Sequence, residues 1–224
     1  MTEEEVVQLI AREVVARIRE ARVPEGRAPD PRDPDPRKMV PVNISARHLH
    51  LSPAHVEALF GPAGLTVLRP LMQPGQFAAN ETAAVIGPKG AFPKVRVLGP
   101  ARGDTQLELS LTDARTLGLD VPVRLSGNVA GTPGITLETA RGRVTVPQGV
   151  IVAARHIHLD PATAARFGMQ QGQQVQVRTT GVRPLIFDGV VVRVSERFVP
   201  EFHVDTDEGN AAAVRDGDLM EILA

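Results

Sequence analysis

The chain has 224 residues, 42% hydrophobic and 23% charged, which suits one large domain or two small ones with buried cores. Lys plus Arg number 25 against 26 Asp plus Glu, so a net charge of -1 gives no electrostatic ground for wrapping nucleic acid or coating an anionic membrane. Cys, Trp and Tyr are absent, which excludes disulfides, thiolate metal sites and a cysteine nucleophile, and leaves few rings on which single-stranded nucleic acid could stack.

The opening residues Met1-Thr2-Glu3-Glu4-Glu5 lack the basic-then-apolar order of a secretory signal. No apolar run approaches the roughly 20 residues that span a bilayer, so a soluble, cytoplasmic protein is expected. Thr2 and Glu5 form a capping-box pattern, and Val6, Ile10, Val14 and Ile18 recur every four positions, which predicts an amphipathic helix over residues 2–20. From Pro24 to Lys38, Pro24, Pro29, Pro31, Pro34 and Pro36 alternate with charges, the composition of an extended linker. A short helix on such a tether either packs on the body or docks on another protein.

Beyond residue 40, runs rich in β-branched residues between Gly and Pro read as strands: Val95–Leu98, Val121–Leu125, Val144–Val146 and Val190–Val194. Crossover helices of a doubly wound sheet are mostly lacking, so the expected fold is mostly β, sandwich or small barrel, with short helices.

The most informative feature is a repeat. Ala46-Arg47-His48-Leu49-His50-Leu51-Ser52-Pro53-Ala54 returns 108 residues later as Ala154-Arg155-His156-Ile157-His158-Leu159-Asp160-Pro161-Ala162, with seven identities in nine positions. The offset suits a small domain and predicts duplication: an N-terminal helix and linker over 1–40, and similar domains over 41–146 and 147–224. In each copy an apolar strand runs into His-x-His, and Ser52 or Asp160 then caps a helix with proline at its first position.

Side chains at i and i+2 on a strand share a face, about 6.6 Å apart along the backbone, so both imidazoles can converge on one metal. The frame recurs at Glu108-Leu109-Ser110, before a cap expected at Thr112, and at His203-Val204-Asp205, before a cap expected at Asp207. Aligning the four units places His48, Glu108, His156 and His203 in one slot and His50, Ser110, His158 and Asp205 in the other. Five of the six histidines fall in these slots; the sixth, His55, is expected on a helix surface. A single His-x-His is more often a hydrogen-bonded core pair, and its duplication favours ligation. With nitrogen and carboxylate donors and no sulfur, zinc is the favoured metal. The expected sets are His48, His50 and Glu108 around one ion and His156, His158 and His203 around a second, with open positions left for substrate. Lys89, Lys94, Arg96 and Arg102 precede Glu108; of these Arg102, one short turn from the ligand strand, is the candidate phosphate-holding cation. The Gln73-Pro74-Gly75-Gln76 and Ser126–Gly134 segments read as turns.

Four segments in order, Asn43-Ile44-Ser45-Ala46-Arg47-His48-Leu49-His50-Leu51-Ser52, Gln73–Ala78, Arg102-Gly103-Asp104-Thr105-Gln106 and His203–Ala212, resemble the PduL-type phosphate propanoyltransferases. The likeness covers about residues 40–224 and includes both His-x-His units. It implies two β-barrel domains and a dinuclear zinc site at which an acyl-CoA, propanoyl or acetyl, and inorganic phosphate exchange to acyl phosphate and coenzyme A. It implies that Arg102 is catalytic, with Gln106, Ser126 and Arg193 as further phosphate contacts and Ser45, Arg69, Arg96 and Asn210 along bound CoA. Arg69 stands where the family pattern has lysine, and Gly209 where alanine is usual. It further implies a homo-oligomer and, through residues 2–20, attachment to the shell or other cargo of a bacterial microcompartment. A two-metal hydrolase and a zinc-stabilised binding module are the competing expectations, separated by phosphate-dependent CoA release and by whether chelation unfolds the chain.

Overall fold

The structure, a computed structural model, describes residues 38–223. The helix expected over 2–20 and the proline-rich segment ahead of Lys38 lie outside the described residues. No helix among the described residues is long and apolar enough to cross a membrane.

In chain order the first half runs β1 (Met39–Ser45), β2 (His48–His50), α1 (Pro53–Phe60), β3 (Val67–Pro70), β4 (Phe77–Ile86), β5 (Ala91–Gly99), β6 (Gln106–Glu108), α2 (Leu111–Leu117), β7 (Val123–Arg124), β8 (Ile135–Glu138) and β9 (Arg143–Val146). The second half runs β10 (Val150–Ala153), β11 (His156–Leu159), α3 (Pro161–Phe167), β12 (Gln174–Arg178), β13 (Ile186–Val194), β14 (Glu201–Asp205), α4 (Thr206–Ala212) and β15 (Leu219–Leu223). Period-two alternation builds the outer strands: in β12, Val175 and Val177 turn into the core while Gln174 and Gln176 stay exposed. The His-x-His strands β2 and β11 are instead buried at every position, as strands covered on both faces must be.

The protein is mostly β, as expected. The two sheets differ, however. One is a closed six-stranded barrel, ordered β1-β14-β11-β13-β12-β15; the other is a nine-stranded sheet, β7-β10-β6-β2-β5-β4-β8-β9 with β3 added on β4. The second does not close: its ends are the two-residue β7 and the four-residue β9, and no pairing joins them.

The sheets also cross the boundary expected at residue 146. β1 belongs to the barrel, parallel to β14 and antiparallel to β15, whereas β10 belongs to the nine-stranded sheet, parallel to β6 and β7. Each strand therefore ends in one sheet, and the chain passes through Ala46-Arg47 or Ala154-Arg155 into a His-x-His strand of the other. Burial explains the exchange. Val40 and Val42 of β1 pack in the core of Ile157, Leu159 and Phe202, while Val150 and Val152 of β10 pack with Leu49, Leu51 and Leu107. Each such valine, at most 4% exposed, contributes about 1.5–3 kcal/mol to a core assembled mostly by the other half of the chain.

The helices are short and capped as their sequences dictate. Ser52 accepts from the His55 amide and Asp160 from the Thr163 amide, and Pro53 and Pro161 open α1 and α3. Gly118 and Gly168 end α2 and α3 in the left-handed conformation, and Ala213 adopts the same conformation after α4 at φ 53.

A fragment of residues 147–224 lacks β1 and so leaves β14 and β15 unjoined. It is expected to show no cooperative thermal transition by circular dichroism, whereas residues 38–224 unfold cooperatively. A fragment that melts cooperatively by itself would show the exchange to be dispensable.

Candidate metal centre

The two crossings deliver the His-x-His pairs to the seam between the sheets. In the first, β2 runs antiparallel to β6 with His48 opposite Glu108 and His50 opposite Gln106. In the second, β11 runs antiparallel to β14 with His156 opposite His203 and His158 opposite Glu201. The same register thus brings together two trios, His48, His50 and Glu108, and His156, His158 and His203, each with its donor atoms within 4.8 Å of one another. Nε2 of His48 lies 3.6 Å and Nε2 of His50 3.7 Å from the Glu108 carboxylate. The three rings of the second trio have centroids 4.7–4.9 Å apart.

Backbone carbonyls set two of the tautomers. Nδ1 of His48 donates to the Ala46 carbonyl at 2.9 Å and Nδ1 of His156 to Ala154 at 2.8 Å, so the crossing residues themselves leave each Nε2 free to ligate. Burial first, and then the neighbouring His48 imidazole, pushes His50 down to about 3. Burial and then the His203 imidazole push His156 down to about 3 and His158 to about 2. These rings are neutral at neutral pH, the form that binds a metal ion. Burial alone would raise the Glu108 carboxyl, but the imidazoles of His48 and His50 and the Ser126 hydroxyl hold it below the usual carboxylate range.

His158 tests whether these residues fit a metal. Both of its ring nitrogens are buried without a hydrogen-bond partner, and the ring stacks on Phe198 at 4.1 Å. A buried unpaired donor or acceptor costs about 1–3 kcal/mol. A divalent cation held with His156 and His203 would satisfy one of those orphaned nitrogens, and an all-nitrogen trio suits zinc.

The trios share one electrostatic neighbourhood. Glu108 and His156 act on each other, and Arg102 and Arg193 both bear on His158. Arg193 on β13 is paired in register with His158 and lies over the Phe198 ring at 5.6 Å. The Arg102 amide donates to the Leu51 carbonyl, which pins its turn to the end of the β2 strand. That turn is held again by Thr105, whose hydroxyl lies 2.6 Å from Nδ1 of His55 and accepts from the Ser52 amide. His55 is thus partly buried and bonded to the Arg102 turn, rather than a simple surface residue.

Gln106 has both ends of its amide engaged. Nε2 donates to Glu108 Oε1 at 2.6 Å and to the Ser126 hydroxyl at 2.9 Å, and Oε1 accepts from the Gly127 amide at 2.7 Å. Ser45 ends β1 in register with Asp205, and Asn210 lies exposed in the last turn of α4. Arg69 is exposed on β3, and Arg96 on β5 donates to the Ala79 and Asn80 carbonyls, both at 2.9 Å. Gly209 faces Ile44, and a Cβ at that position would meet the Ile44 Cδ1 at 3.0 Å.

The second slot of the four-unit alignment is corrected in its two non-histidine members. Ser110 and Asp205, not Thr112 and Asp207, are the N-caps of α2 and α4, and their side-chain oxygens accept from the Asp113 and Glu208 amides. Asp207 instead accepts from the Thr112 amide at 2.8 Å, joining the two helices across the seam. Because the strands run antiparallel, the residues opposite His50 and His158 precede the third member of each trio by two, as Gln106 and Glu201 do. Glu201, a buried carboxylate 2.8 Å from Nε2 of His203, lies behind that histidine in the chain and so outside the forward spacing of the repeat. Its signal was the i−2 spacing, which keeps it on the same strand face as His203.

Equivalent arginines complete the repeat. Arg47 pairs with Asp113 at 2.6 Å and lies over Phe92, and Arg155 pairs with Glu208 at 2.8 Å and lies over Phe187. Each ties a crossing to the first turn of the helix that follows the third member of its trio.

Two β sheets that exchange strands, with two buried trios of ligand-type side chains and two arginines beside them, define the class: a β protein built around a polar centre at a sheet seam. A sequence profile of the phosphate propanoyltransferases matches residues 41–215. The chain is 48% identical over 187 residues to the phosphate propanoyltransferase of Shewanella putrefaciens, covering 83% of this chain and 89% of that one. It is 50% identical over 184 residues to that of Thermotoga maritima, covering 81% and 88%. With the Enterococcus faecalis protein of the same name it shares 49% over 183 residues, covering 81% and 87%. The chain belongs to the phosphate propanoyltransferase family.

Replacing Arg47 by Ala leaves the Asp113 carboxylate, 4% exposed, without its cation. The variant is expected to lose about 1–3 kcal/mol of stability, read from its chemical-denaturation midpoint.

Proposed function

We propose that the chain is a zinc-dependent phosphotransacylase, exchanging a short acyl-CoA, propanoyl-CoA or acetyl-CoA, and inorganic phosphate for the acyl phosphate and coenzyme A. The observation that carries this proposal is the pair of buried trios, one holding an imidazole with no partner, within electrostatic reach of Arg102 and Arg193. Family membership supports the reaction class.

His48, His50 and Glu108 would hold one zinc ion, and His156, His158 and His203 a second. Bound there, zinc supplies Lewis acidity toward a thioester carbonyl and toward a departing thiolate. Arg102 and Arg193 bind the phosphate and orient one of its oxygens toward the carbonyl carbon, and their charge offsets the repulsion between phosphate and the Glu108 carboxylate. The new bond joins that oxygen to the carbonyl carbon, the carbon–sulfur bond breaks, and its electron pair leaves with the CoA sulfur. Ser126 adds a hydroxyl contact to phosphate, while Gln106 acts by fixing Glu108. Ser45, Arg69, Arg96 and Asn210 lie along the CoA. The chain has no cysteine and no Gly-x-Ser-x-Gly elbow, so the acyl group passes directly between the two bound substrates.

Purified protein assayed with propanoyl-CoA or acetyl-CoA is expected to release CoA only when phosphate is present, with two zinc ions per chain by elemental analysis. Release that proceeds equally without phosphate identifies a hydrolase instead. Arg102→Ala is expected to lower kcat by about 10²–10³-fold with zinc content unchanged, and His156→Ala to lose one ion and the activity together. Full activity in His156→Ala overturns the site.

The amphipathic spacing of Val6, Ile10, Val14 and Ile18 and the proline-rich tether after it support a role for residues 2–20 in docking to a microcompartment shell or its cargo. Deleting residues 1–38 is expected to abolish co-purification with shell proteins and to leave the assay unchanged. Shell association that survives the deletion counts against this role.

A further inference from the structure

The two trios are built alike, but they carry their negative charge in different places. In the first, the third ligand is a carboxylate, Glu108, and the residue two before it, Gln106, is a neutral amide that donates to it. In the second, the third ligand is an imidazole, His203, and the residue two before it, Glu201, is the carboxylate that bonds to it. Gln106 and Glu201 occupy the same position in the repeat, opposite His50 and His158 in the antiparallel register. Each trio therefore has one carboxylate, in direct contact in one case and one bond removed in the other.

Glu201 is 1% exposed, and its Oε1 has no hydrogen-bond partner. Burying a carboxylate is costly even with the side chains of Asn43, Gln73 and His203 bonded to it, so its retention at this point calls for a role beyond packing. Its other oxygen is held on two sides. Oε2 accepts from Nε2 of Gln73 at 2.7 Å and lies 2.8 Å from Nε2 of His203. Gln73 is itself 4% exposed and reaches across from the nine-stranded-sheet half of the chain. Its Nε2 also donates to the Val199 carbonyl at 3.1 Å, and its Oε1 accepts from the Val199 amide at 3.3 Å. The turn Gln73-Pro74-Gly75-Gln76, a plain loop by composition, is thus a strut that holds the carboxylate.

An ionised carboxylate only accepts, so the proton of a neutral His203 must sit on Nε2. Nδ1 is then the ring's only lone-pair nitrogen. This is the reverse of His48 and His156, whose Nδ1 atoms are spent on backbone carbonyls.

We infer that Glu201, clamped by Gln73, is a positioning residue of the second trio: it locks His203 in the Nε2-protonated tautomer, presents Nδ1 as the donor, and supplies the negative charge that Glu108 supplies directly in the first. Outer partners of this kind set the orientation and basicity of a ligating imidazole. The inference rests on the proposal that the trios hold zinc, and the test separates the two.

Full-length protein labelled with ¹⁵N-histidine, stripped of metal and titrated with zinc sulfate against a competing chelator, gives both readouts. In the metal-free wild type, His203 is expected to show a protonated Nε2 and an unprotonated Nδ1 in long-range ¹H–¹⁵N correlations. Glu201→Leu is expected to mix the two tautomers. Glu201→Gln, which keeps an acceptor but removes the charge, is expected to hold the tautomer and to weaken one of the two zinc ions about 10- to 100-fold while leaving the other at wild-type affinity. The Gln variant decides the matter if the Leu variant does not fold. A wild-type His203 protonated on Nδ1 overturns the inference, as do two zinc ions bound by Glu201→Gln with wild-type affinity. A wild type that binds no zinc overturns the proposed function along with this role, which distinguishes the two failures.

Discussion

The structure depends on a reciprocal exchange of strands. β1 is drawn into the barrel and β10 into the open sheet by the burial of their valines, and the chain must then step from one sheet to the other at Ala46-Arg47 and Ala154-Arg155. Each step places a His-x-His strand at the seam and aims a backbone carbonyl at the first imidazole. Apolar packing thereby fixes the tautomer of a polar group, and the two cores cannot be assembled independently of the centre between them.

Around that seam the chain buries an unusual load of ionisable groups. Five of the six trio residues are under 9% exposed, and His203 is partly buried. Desolvation keeps the histidines His50, His156 and His158 neutral, and a network of internal bonds holds Glu108 and Glu201 as carboxylates. Only His158 has neither nitrogen bonded. Native folds satisfy buried polar atoms nearly everywhere, and an exception inside a cluster of ligand-type side chains marks the place where chemistry rather than packing chose the residue.

The halves repeat one another in detail, and the repeat also has limits. The crossing arginines, the acid each pairs with and the aromatic ring beneath each recur from one half to the other. The halves differ most at the third member of each trio and the residue two before it, where Gln106 and Glu108 in one half answer to Glu201 and His203 in the other. Closure of the sheet diverged as well: the barrel joins β1 to β15, while β7 and β9 of the other sheet end unpaired.

Much of the local design was legible in the residues. The repeated His-x-His, the caps at Ser52 and Asp160, the strands around Val95 and Val190, and the grouping of His48 with His50 and His156 with His158 all follow from spacing, because side-chain alternation and capping act within a few residues. The partners Glu108 and His203 were found because their frame repeats the histidine frame. What spacing could not decide was which way the strands pair. Parallel counting assigned the caps to Thr112 and Asp207 and passed over Glu201, and antiparallel pairing moved the relevant residue to the other side of each third ligand. Sheet membership of β1 and β10, closure of one barrel alone, and the reach of Gln73 to Glu201 were likewise decided in three dimensions. Each depends on which distant apolar surfaces bury one another, and a one-dimensional pattern marks the surfaces to be buried without naming their partners.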